Sequence, residues 1–277
     1  MYRLSSFAGF ALFAALPALA DHQALTREQM ADFLKNAKVI KSRDVATGVT
    51  NSRRLTLSDG TMTHDAHFQT IDQSMTTFQG TRGTELNFRD TWRYNVAAYK
   101  LAGLLGIEHM VPMSIERNIG GSTGAITWWC DKVKFDEAKR MKSKTDPPNL
   151  DDWNKQMHIL RVFDQLIYNT DRNLGNLVIT EDWNIVMIDH TRAFRLMRQL
   201  QNPKNLVRCE KGLLEKMKAL DEASLAAAVK DYLNKEEAKA ILARRDLIVK
   251  YFESQGPGSM FEMNVTPGKA AWIAAVQ

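Results

Sequence analysis

The order of apolar and polar residues divides the chain into a first half that predicts strands and a second half that predicts helices. Apolar runs in the first half predict strands over residues 40–49, 53–57, 66–71, 110–117 and 124–129. Two helices are predicted there as well. The first covers residues 26–37 and begins with a Thr cap, and the second covers residues 90–106 and ends at a glycine. Residues 73–87 are polar and interrupted by glycines, which predicts a flexible connection. This half therefore predicts a small β-rich unit.

Apolar residues at helical spacing dominate the second half. Residues 131–152 are rich in Lys, Asp and Pro, which predicts a linker. Residues 153–167 follow as a helix whose apolar face is too broad for a surface helix. Three further helices are predicted over residues 212–220, 222–233 and 235–254. The second half therefore predicts a helical unit.

A β-hairpin is predicted between the buried helix and the last three helices. Its strands are the apolar, β-branched runs 177–180 and 185–189, which a four-residue connection separates. If Thr180 faces Ile185, the same register carries back to the open end of the hairpin. The register therefore decides which polar residues meet at that end.

Polar side chains are predicted to converge at the open end of this hairpin. The register places Asn176 opposite Asp189, and directly opposed residues have Cβ atoms about 5 Å apart. Two oxygen-bearing side chains at that separation can hold one Mg²⁺ ion. Asp171 stands five positions before Asn176, in a loop that can bring its carboxylate to the same place. The sequence thus predicts a divalent-cation site with a further acid beside it.

This order of an Asp, an Asn, a hairpin and a second Asp resembles the catalytic segment of the protein-kinase-like fold. It is most similar to the branch with phosphoinositide 3-/4-kinases, HipA-type kinases and secreted Golgi casein kinases, where an Asp-Arg pair opens the loop, as Asp171 and Arg172 do here. Asp189 opens an Asp-His-Thr sequence at the position of Asp-Phe-Gly. The resemblance implies that Asp171 orients or deprotonates an acceptor hydroxyl. It also implies that Asn176 and Asp189 hold the Mg²⁺ or Mn²⁺ ion that bridges the phosphates of ATP.

The resemblance also implies the fold class and the domain limits. It predicts an α+β fold of two lobes, with a small β-rich N-lobe over residues 41–130 and a helical C-lobe over residues 131–254. Residues 21–40 would form an N-terminal extension and residues 255–277 a C-terminal tail. ATP would bind between the lobes. A mixed α/β binding protein without kinase chemistry is a further reading.

Two residues depart from the family pattern in the predicted N-lobe. Related kinases carry a Lys on the third strand and a Glu on the following helix, and here the matching residues are Gln69 and Asn95. Their amides can hydrogen-bond to each other, but they bring no positive charge to the phosphates. Either the protein is a pseudokinase that regulates or scaffolds a partner, or another basic residue supplies the charge. The candidates for that residue are Arg82, Arg89 and Arg93.

Other residues are candidates for holding the nucleotide. Trp128 and Trp129 lie where the resemblance expects the adenine-binding hinge, and they either line the base pocket or fill the core. Arg172 and Arg192 flank the acidic residues, and either can contact a phosphate or pair with a carboxylate. The turn at residues 48–52 would overlie the phosphates, but its single glycine is also typical of an ordinary hairpin turn.

The N-terminal residues and the composition bear on location and partners. Residues 1–20 combine Arg3, an apolar core and a small-residue ending, which predicts a signal peptide and export to a periplasm, the exterior or a secretory lumen. The stretch is short and contains Pro, so an N-terminal membrane anchor is the less favoured alternative. Cys130 and Cys209 can pair in an oxidising compartment or stay free. A net charge of +5 suits anionic ligands and gives no evidence of nucleic-acid binding. Nothing in the sequence specifies the acceptor.

Overall fold

The computed structural model of the chain describes residues 25–45, 52–80 and 83–263. The predicted signal peptide, most of the turn at residues 48–52, Arg82 and most of the C-terminal tail lie outside these ranges. Within the described residues, none of the helices combines the length and the apolarity needed to cross a bilayer.

Seven α-helices and twelve strands occur in the described residues. The helices are α1 (Arg27–Asn36), α2 (Arg93–Leu105), α3 (Glu137–Lys142), α4 (Leu150–Ile167), α5 (Lys211–Ala219), α6 (Glu222–Val229) and α7 (Lys235–Gln255). The strands are β1 (Lys38–Asp44), β2 (Ser52–Ser58), β3 (Thr63–Gln69), β4 (Asp72–Gly80), β5 (Gly83–Thr91), β6 (Ser114–Ile119), β7 (Ser122–Trp128), β8 (Val133–Asp136), β9 (Leu177–Thr180), β10 (Ile185–Met187), β11 (Cys209–Glu210) and β12 (Met260–Phe261).

The small lobe is an antiparallel sheet with the spatial order β1-β2-β3-β7-β6 and helix α1 packed on it. Alternate residues of β2 and β3 face α1, because successive side chains of a strand point to opposite faces. The apolar residues that form this core include Leu55, Leu57, Ala66, Phe68, Met30, Phe33 and Leu34. Helix α1 starts at the predicted cap, where Thr26 and Gln29 form a reciprocal capping box. The predicted first helix is therefore confirmed, and it belongs to the core of the small lobe.

Residues 73–87 do not form the predicted flexible connection, because β4 and β5 build a long antiparallel hairpin there. Most side chains of β4 are exposed on both faces, so the strand lacks the alternation from which strands are recognised. The hairpin also includes Asp90, which was predicted to be the first residue of a helix. Asp90 lies in β5, and helix α2 begins only at Arg93.

The large lobe contains the predicted helices and one small sheet. Helix α4 packs against α7 in its core, and α5 and α6 pack against α7 and α2; α4, α5, α6 and α7 occur where the apolar periodicity predicted helices. The predicted linker at residues 131–152 is wrong in part, because it contains β8 and α3. Strand β8 adds to the edge of β9 in the order β10-β9-β8, and the carboxylate of Asp136 caps α3 at 2.7 Å from the Lys139 amide. Cys130 and Cys209 are free thiols, and burial raises the pKa of both to about 12.

Arg244 on α7 is fully buried and fastens the end of α4 to the segment after Phe194. Its guanidinium donates to the Leu166 carbonyl at 2.7 Å, to the Arg195 carbonyl at 2.9 Å and to the Met197 carbonyl. Burial of the cation lowers the pKa of Arg244 to about 10. Three hydrogen bonds to carbonyls that would otherwise be buried without partners thus offset the desolvation cost of the buried charge.

Replacing Arg244 by Met is expected to lower the free energy of unfolding by about 2 kcal/mol. Met keeps much of the apolar volume and removes the buried charge, so the loss reflects the unpaired carbonyls alone. Urea denaturation of the variant measures it, with Lys250→Met on the exposed side of the same helix as the matched control. Equal stability of Arg244→Met and the wild-type protein would contradict this assignment.

Candidate active site

The β9–β10 hairpin has a register one residue different from the predicted one. Ile185 pairs with Ile179, and the Thr180 amide donates to the Asn184 carbonyl at 3.0 Å. The connection therefore has three residues, and its last residue, Trp183, has the left-handed φ of 61° that such a turn requires. Both strands are buried on both faces, so apolar alternation could not distinguish the two registers.

The prediction that Asn176 lies directly opposite Asp189 is wrong as a consequence. Asn176 is opposite Ile188, whose amide donates to the Asn176 carbonyl at 3.1 Å. Asp189 is the next residue and has a left-handed φ of 52°, so the chain turns at this position. Asn176 and Asp189 thus lie at the same end of the hairpin, one position out of register. The Asp189 carboxylate accepts hydrogen bonds from the Thr191 amide at 3.3 Å and hydroxyl at 2.9 Å.

Asp171 and Asn176 are joined by a direct contact within the loop. The side-chain amide of Asn176 donates to the Asp171 carbonyl at 3.1 Å, and the Asn173 amide donates to the same carbonyl at 2.8 Å. The amide of Asp171 in turn donates to the side chain of Asn169 at 3.0 Å. The nitrogen of the Asn176 side chain is therefore used to shape the loop, and its oxygen is the atom that suits a cation.

Arg172 was predicted either to contact a phosphate or to pair with a carboxylate of the acidic residues, and in the structure it pairs with a carboxylate outside that set. Its guanidinium pairs with the buried carboxylate of Asp164 on α4 at 3.0 Å. It also donates to the carbonyls of Asn176 at 2.9 Å and Ile188 at 2.8 Å, one on each side of the hairpin. These partners engage the donors of Arg172, whose side chain is 10% exposed. Arg172 therefore clamps the loop and both strands, at the open end of the hairpin, to α4.

Gln69 and Asn95 form the neutral pair that the sequence indicated. The Asn95 amide donates to the Gln69 side-chain oxygen at 2.8 Å, and its own oxygen accepts from the backbone amide of His190 at 2.8 Å. All three residues are buried. Uncharged hydrogen bonds thus connect β3, α2 and the segment after Asp189, so the pair aligns the two lobes without adding charge.

Gly124 on β7 gives the end of β3 the room that this arrangement needs. A Cβ atom at this position would lie 2.4 Å from the carbonyl oxygen of Gln69 and 2.9 Å from Cγ2 of Thr70. The first of these neighbours is backbone, so a side chain at position 124 has to displace the strand that carries Gln69.

Gly124→Ala is therefore expected to lower the free energy of unfolding by about 1–3 kcal/mol, because β3 must move away from β7. Gly103→Ala is the matched control, since no atom lies within 4 Å of the added Cβ and the residue is exposed in α2. That substitution is expected to stabilise the protein by up to about 1 kcal/mol through helix propensity. Chemical denaturation measures both changes, and the same sign for the two variants would contradict the close approach.

The two tryptophans predicted to line a base pocket differ in position. Trp128 is buried in the core of the small lobe, where its ring contacts Phe33 and stacks on His64 at 4.0 Å between centroids. Trp128 therefore fills the core and presents no surface to a base. Trp129 is partly exposed, and the guanidinium of Arg54 lies over its ring at 4.0 Å.

The arginines proposed to replace the missing Lys are mostly engaged elsewhere. Arg89 pairs with the buried carboxylate of Glu237 at 2.8 Å, and Arg93 pairs with Asp72 at 3.4 Å. Arg82 lies outside the described residues.

Arg192 lies three residues after Asp189, and its backbone carbonyl accepts hydrogen bonds from the hydroxyl and the amide of Thr170 at 2.9 and 3.4 Å. Its Nη2 binds Glu85 of the β4–β5 hairpin at 2.5 Å, and its cation lies over the rings of Phe78 and Phe88. Its buried Nε has no hydrogen-bond partner among the described residues. A guanidinium with an unused donor beside the acids fits a phosphate oxygen.

Two further groups at this site carried no signal in the sequence. Asp90 is 9% exposed, and burial raises its pKa, a hydrogen bond from Thr191 lowers it, and the charge of Asp189 raises it. His67 lies two residues before Gln69, on the same face of β3. Burial lowers the pKa of His67 and the charge of Asp189 opposes this change. Both groups therefore lie within electrostatic range of Asp189, although β3 and β5 are distant from it in sequence.

The oxygen atoms of this site suit a hard divalent cation. Asn176 offers an amide oxygen and Asp189 a carboxylate, which are ligands of the kind that Mg²⁺ prefers. In the part of the chain that the structure describes, no cluster of three or more His, Cys, Asp or Glu side chains is arranged to hold a metal ion. The protein therefore offers few ligands, which suits Mg²⁺, because that ion usually keeps water and phosphate oxygens among its ligands.

A β-rich lobe and a helical lobe with this loop and hairpin at their junction define a mixed α/β, two-lobed protein-kinase-like fold. Among solved structures, the chain is similar to Fam20 from hydra, determined with sugar, at 15% identity and a TM-score of 0.63 over 86% of this chain and 93% of that one. It also matches the proinflammatory kinase CtkA of Helicobacter pylori at 10% identity and a TM-score of 0.47 over 81% of this chain and 98% of that one. No protein-family model and no curated protein matches the sequence. The atypical kinase-like fold predicted from the sequence is thus confirmed, and at this identity the likeness concerns the fold alone.

Proposed function

We propose that this protein is an exported, atypical kinase-like phosphotransferase that moves the γ-phosphate of ATP to a hydroxyl acceptor. The observation that carries the proposal is the loop in which Asp171, Asn176 and Asp189 lie at one end of the hairpin, fixed by Arg172. A packed core alone does not require two acids and an amide at this end, whereas phosphoryl transfer requires such groups. The kinase-like fold supports the same conclusion.

Each residue has a role in this reaction. Asp171 orients the acceptor hydroxyl and accepts its proton. Asn176 and Asp189 would hold Mg²⁺ or Mn²⁺, which neutralises charge on the phosphates when it is bound. Arg192, with its unused Nε donor, contributes the positive charge that Gln69 cannot. Trp129 is the remaining candidate for contact with the base.

Nucleotide affinity is expected to be low in this scheme. Gln69 and Asn95 hold the lobes together through neutral hydrogen bonds, so the contact that an ammonium group makes with the phosphates is missing. Binding energy then comes from the metal ion and from Arg192. This balance makes nucleotide binding strongly dependent on divalent cations.

A pseudokinase is the second candidate, and the same pair of amides favours it. A protein that only binds a nucleotide, or that scaffolds a partner, has no need of a charged residue at position 69. The acidic loop would then be a remnant of metal binding. The two candidates differ in turnover and share the kinase-like fold.

An isotope-transfer assay separates the candidates. The protein is incubated with γ-labelled ATP, Mg²⁺ or Mn²⁺, and protein, lipid and sugar acceptors; sugars are included because the hydra Fam20 structure was determined with sugar. Label on an acceptor supports the phosphotransferase. A rise in melting temperature with nucleotide and metal, without transfer, supports the pseudokinase. If the protein shows neither transfer of label nor a rise in melting temperature, it is a mixed α/β binding protein without kinase chemistry.

A further inference from the structure

Asp90 lies at the end of β5, where the β4–β5 hairpin reaches the proposed active site. The amide of the next residue, Thr91, donates to the Thr191 carbonyl at 3.0 Å, so this end of the hairpin is fixed to the segment after Asp189. Asp90 is 9% exposed, and its Oδ1 has no hydrogen-bond partner among the described residues. A buried carboxylate oxygen without a partner is costly, so a ligand is expected to satisfy it.

Thr191 lies between Asp90 and Asp189. Its hydroxyl donates to Oδ1 of Asp189 at 2.9 Å, and its carbonyl accepts the amide of Thr91, the residue after Asp90, at 3.0 Å. The charge of Asp189 also raises the pKa of Asp90, as expected for two acids that are near each other. These contacts bring Asp90 to the end of the hairpin at which Asp189 lies.

Existing cations compensate this pair only in part. Arg192 and Arg195 both lie within electrostatic range of Asp90, but both guanidinium groups are bound to Glu85, at 2.5 and 2.7 Å. The charge of Asp171 adds further repulsion at Asp90. Asp90, Asp171 and Asp189 thus share two guanidinium groups that already have an acidic partner, and a divalent cation would reduce the remaining negative charge.

We infer that Asp90 is a further protein ligand of the divalent cation in the proposed active site, together with Asp189 and Asn176. The inference rests on the proposed function for the identity of that site, and it adds a ligand contributed by the hairpin between β3 and α2. A site with two carboxylates can hold Mn²⁺ or Mg²⁺ before any nucleotide binds. The hairpin therefore belongs to the metal site as well as to the lobe interface.

Calorimetric titration with Mn²⁺, in the absence of nucleotide, tests the inference on the full chain. Wild-type protein is expected to bind Mn²⁺, and Asp90→Asn is expected to bind it at least tenfold more weakly. The matched control is Asp72→Asn, which changes the exposed acid that pairs with Thr91 across the same hairpin and is expected to leave Mn²⁺ affinity unchanged.

Melting temperatures distinguish a ligand from a structural carboxylate. Without metal, Asp90→Asn is expected to melt at the same or a higher temperature than the wild-type protein, because one repelling charge is gone. The rise that Mn²⁺ produces in the wild-type protein is expected to be lost in the variant. Asp90→Glu, which keeps the charge, is expected to retain part of that rise and serves if Asp90→Asn does not fold.

Absence of Mn²⁺ binding by the wild-type protein, or equal affinity of wild type and Asp90→Asn, would overturn the inference. A lower melting temperature of metal-free Asp90→Asn with an unchanged Mn²⁺ response would also overturn it, since Asp90 would then be structural. The proposed function fails separately: Mn²⁺ binding that depends on Asp90, without any phosphoryl transfer, leaves the metal ligand in place and removes the phosphotransferase.

Discussion

Asp171→Ala is expected to reduce phosphoryl transfer by about 10²–10⁴-fold, the range that a positioned acid–base residue contributes. The carboxylate is the group proposed to orient the acceptor hydroxyl and to take its proton. The Asp171 backbone carbonyl, which Asn176 and Asn173 use to shape the loop, is retained in the variant. The isotope-transfer rate under saturating ATP and metal measures the loss.

Nucleotide and metal binding should be nearly unchanged in Asp171→Ala, because the proposed metal ligands remain. The control is Asp182→Ala, which removes an exposed acid in the turn of the same hairpin and is expected to leave the rate unchanged. Turnover at the wild-type level in Asp171→Ala would remove Asp171 from catalysis. A parallel loss of metal binding would instead indicate that Asp171 is a ligand.

Arg172→Ala is expected to lower the free energy of unfolding by about 3–5 kcal/mol, the usual cost of removing one partner of a buried ion pair. Asp164 is 8% exposed and would keep only the weaker hydrogen bond from Asn169 at 3.2 Å. The carbonyls of Asn176 and Ile188 would also lose the donor that spans the hairpin. Urea denaturation of the purified variant measures the change.

Arg172→Lys is expected to recover only part of this stability, because an ammonium group cannot bind a carboxylate with two nitrogens and still reach both carbonyls. Arg198→Ala, which breaks an exposed pair with Glu236, is expected to cause no measurable loss. A loss for Arg172→Ala no greater than that for Arg198→Ala would show that the clamp contributes nothing to stability.

The partners of Arg172 could not be read from the sequence, which left open a phosphate contact or an ion pair with a carboxylate for both Arg172 and Arg192. In the structure Arg172 pairs with Asp164 on α4 and donates to both strands at the open end of the hairpin. Arg192 binds Glu85 and keeps an Nε without a partner among the described residues. The sequence offers two arginines with equal claims, and only their partners distinguish them.

The contact between Gln69 and Asn95 was predictable from the resemblance, which expects a Lys and a Glu at these two positions. Two amides can bond to each other in their place, and a neutral pair leaves no unpaired buried charge. The structure joins them at 2.8 Å and extends the contact to the His190 backbone. Two residue types that can replace an ion pair by a hydrogen bond thus predicted a contact between residues 26 positions apart.

The β4–β5 hairpin was not predictable from its residues. Its side chains are mostly exposed, and what stabilises it on the large lobe is a set of contacts with Arg192 and Arg195 through Glu85 and the ring of Phe88. Those partners are more than one hundred residues away. The burial of Asp90 follows from this docking, so its candidate role was equally hidden.

The sequence alone determined six of the seven helices in the described residues, most strands of the small lobe and the placing of Asp171, Asn176 and Asp189 near one end of a hairpin. These features depend on neighbours a few positions apart, through apolar periodicity, capping and motif spacing. Only the tertiary structure decided the register of the β9–β10 hairpin, the partners of Arg172 and Arg192, and the burial of Asp90 beside Asp189. Those outcomes depend on which distant groups compete for the same charge or hydrogen bond, and that competition is settled only when the lobes pack together.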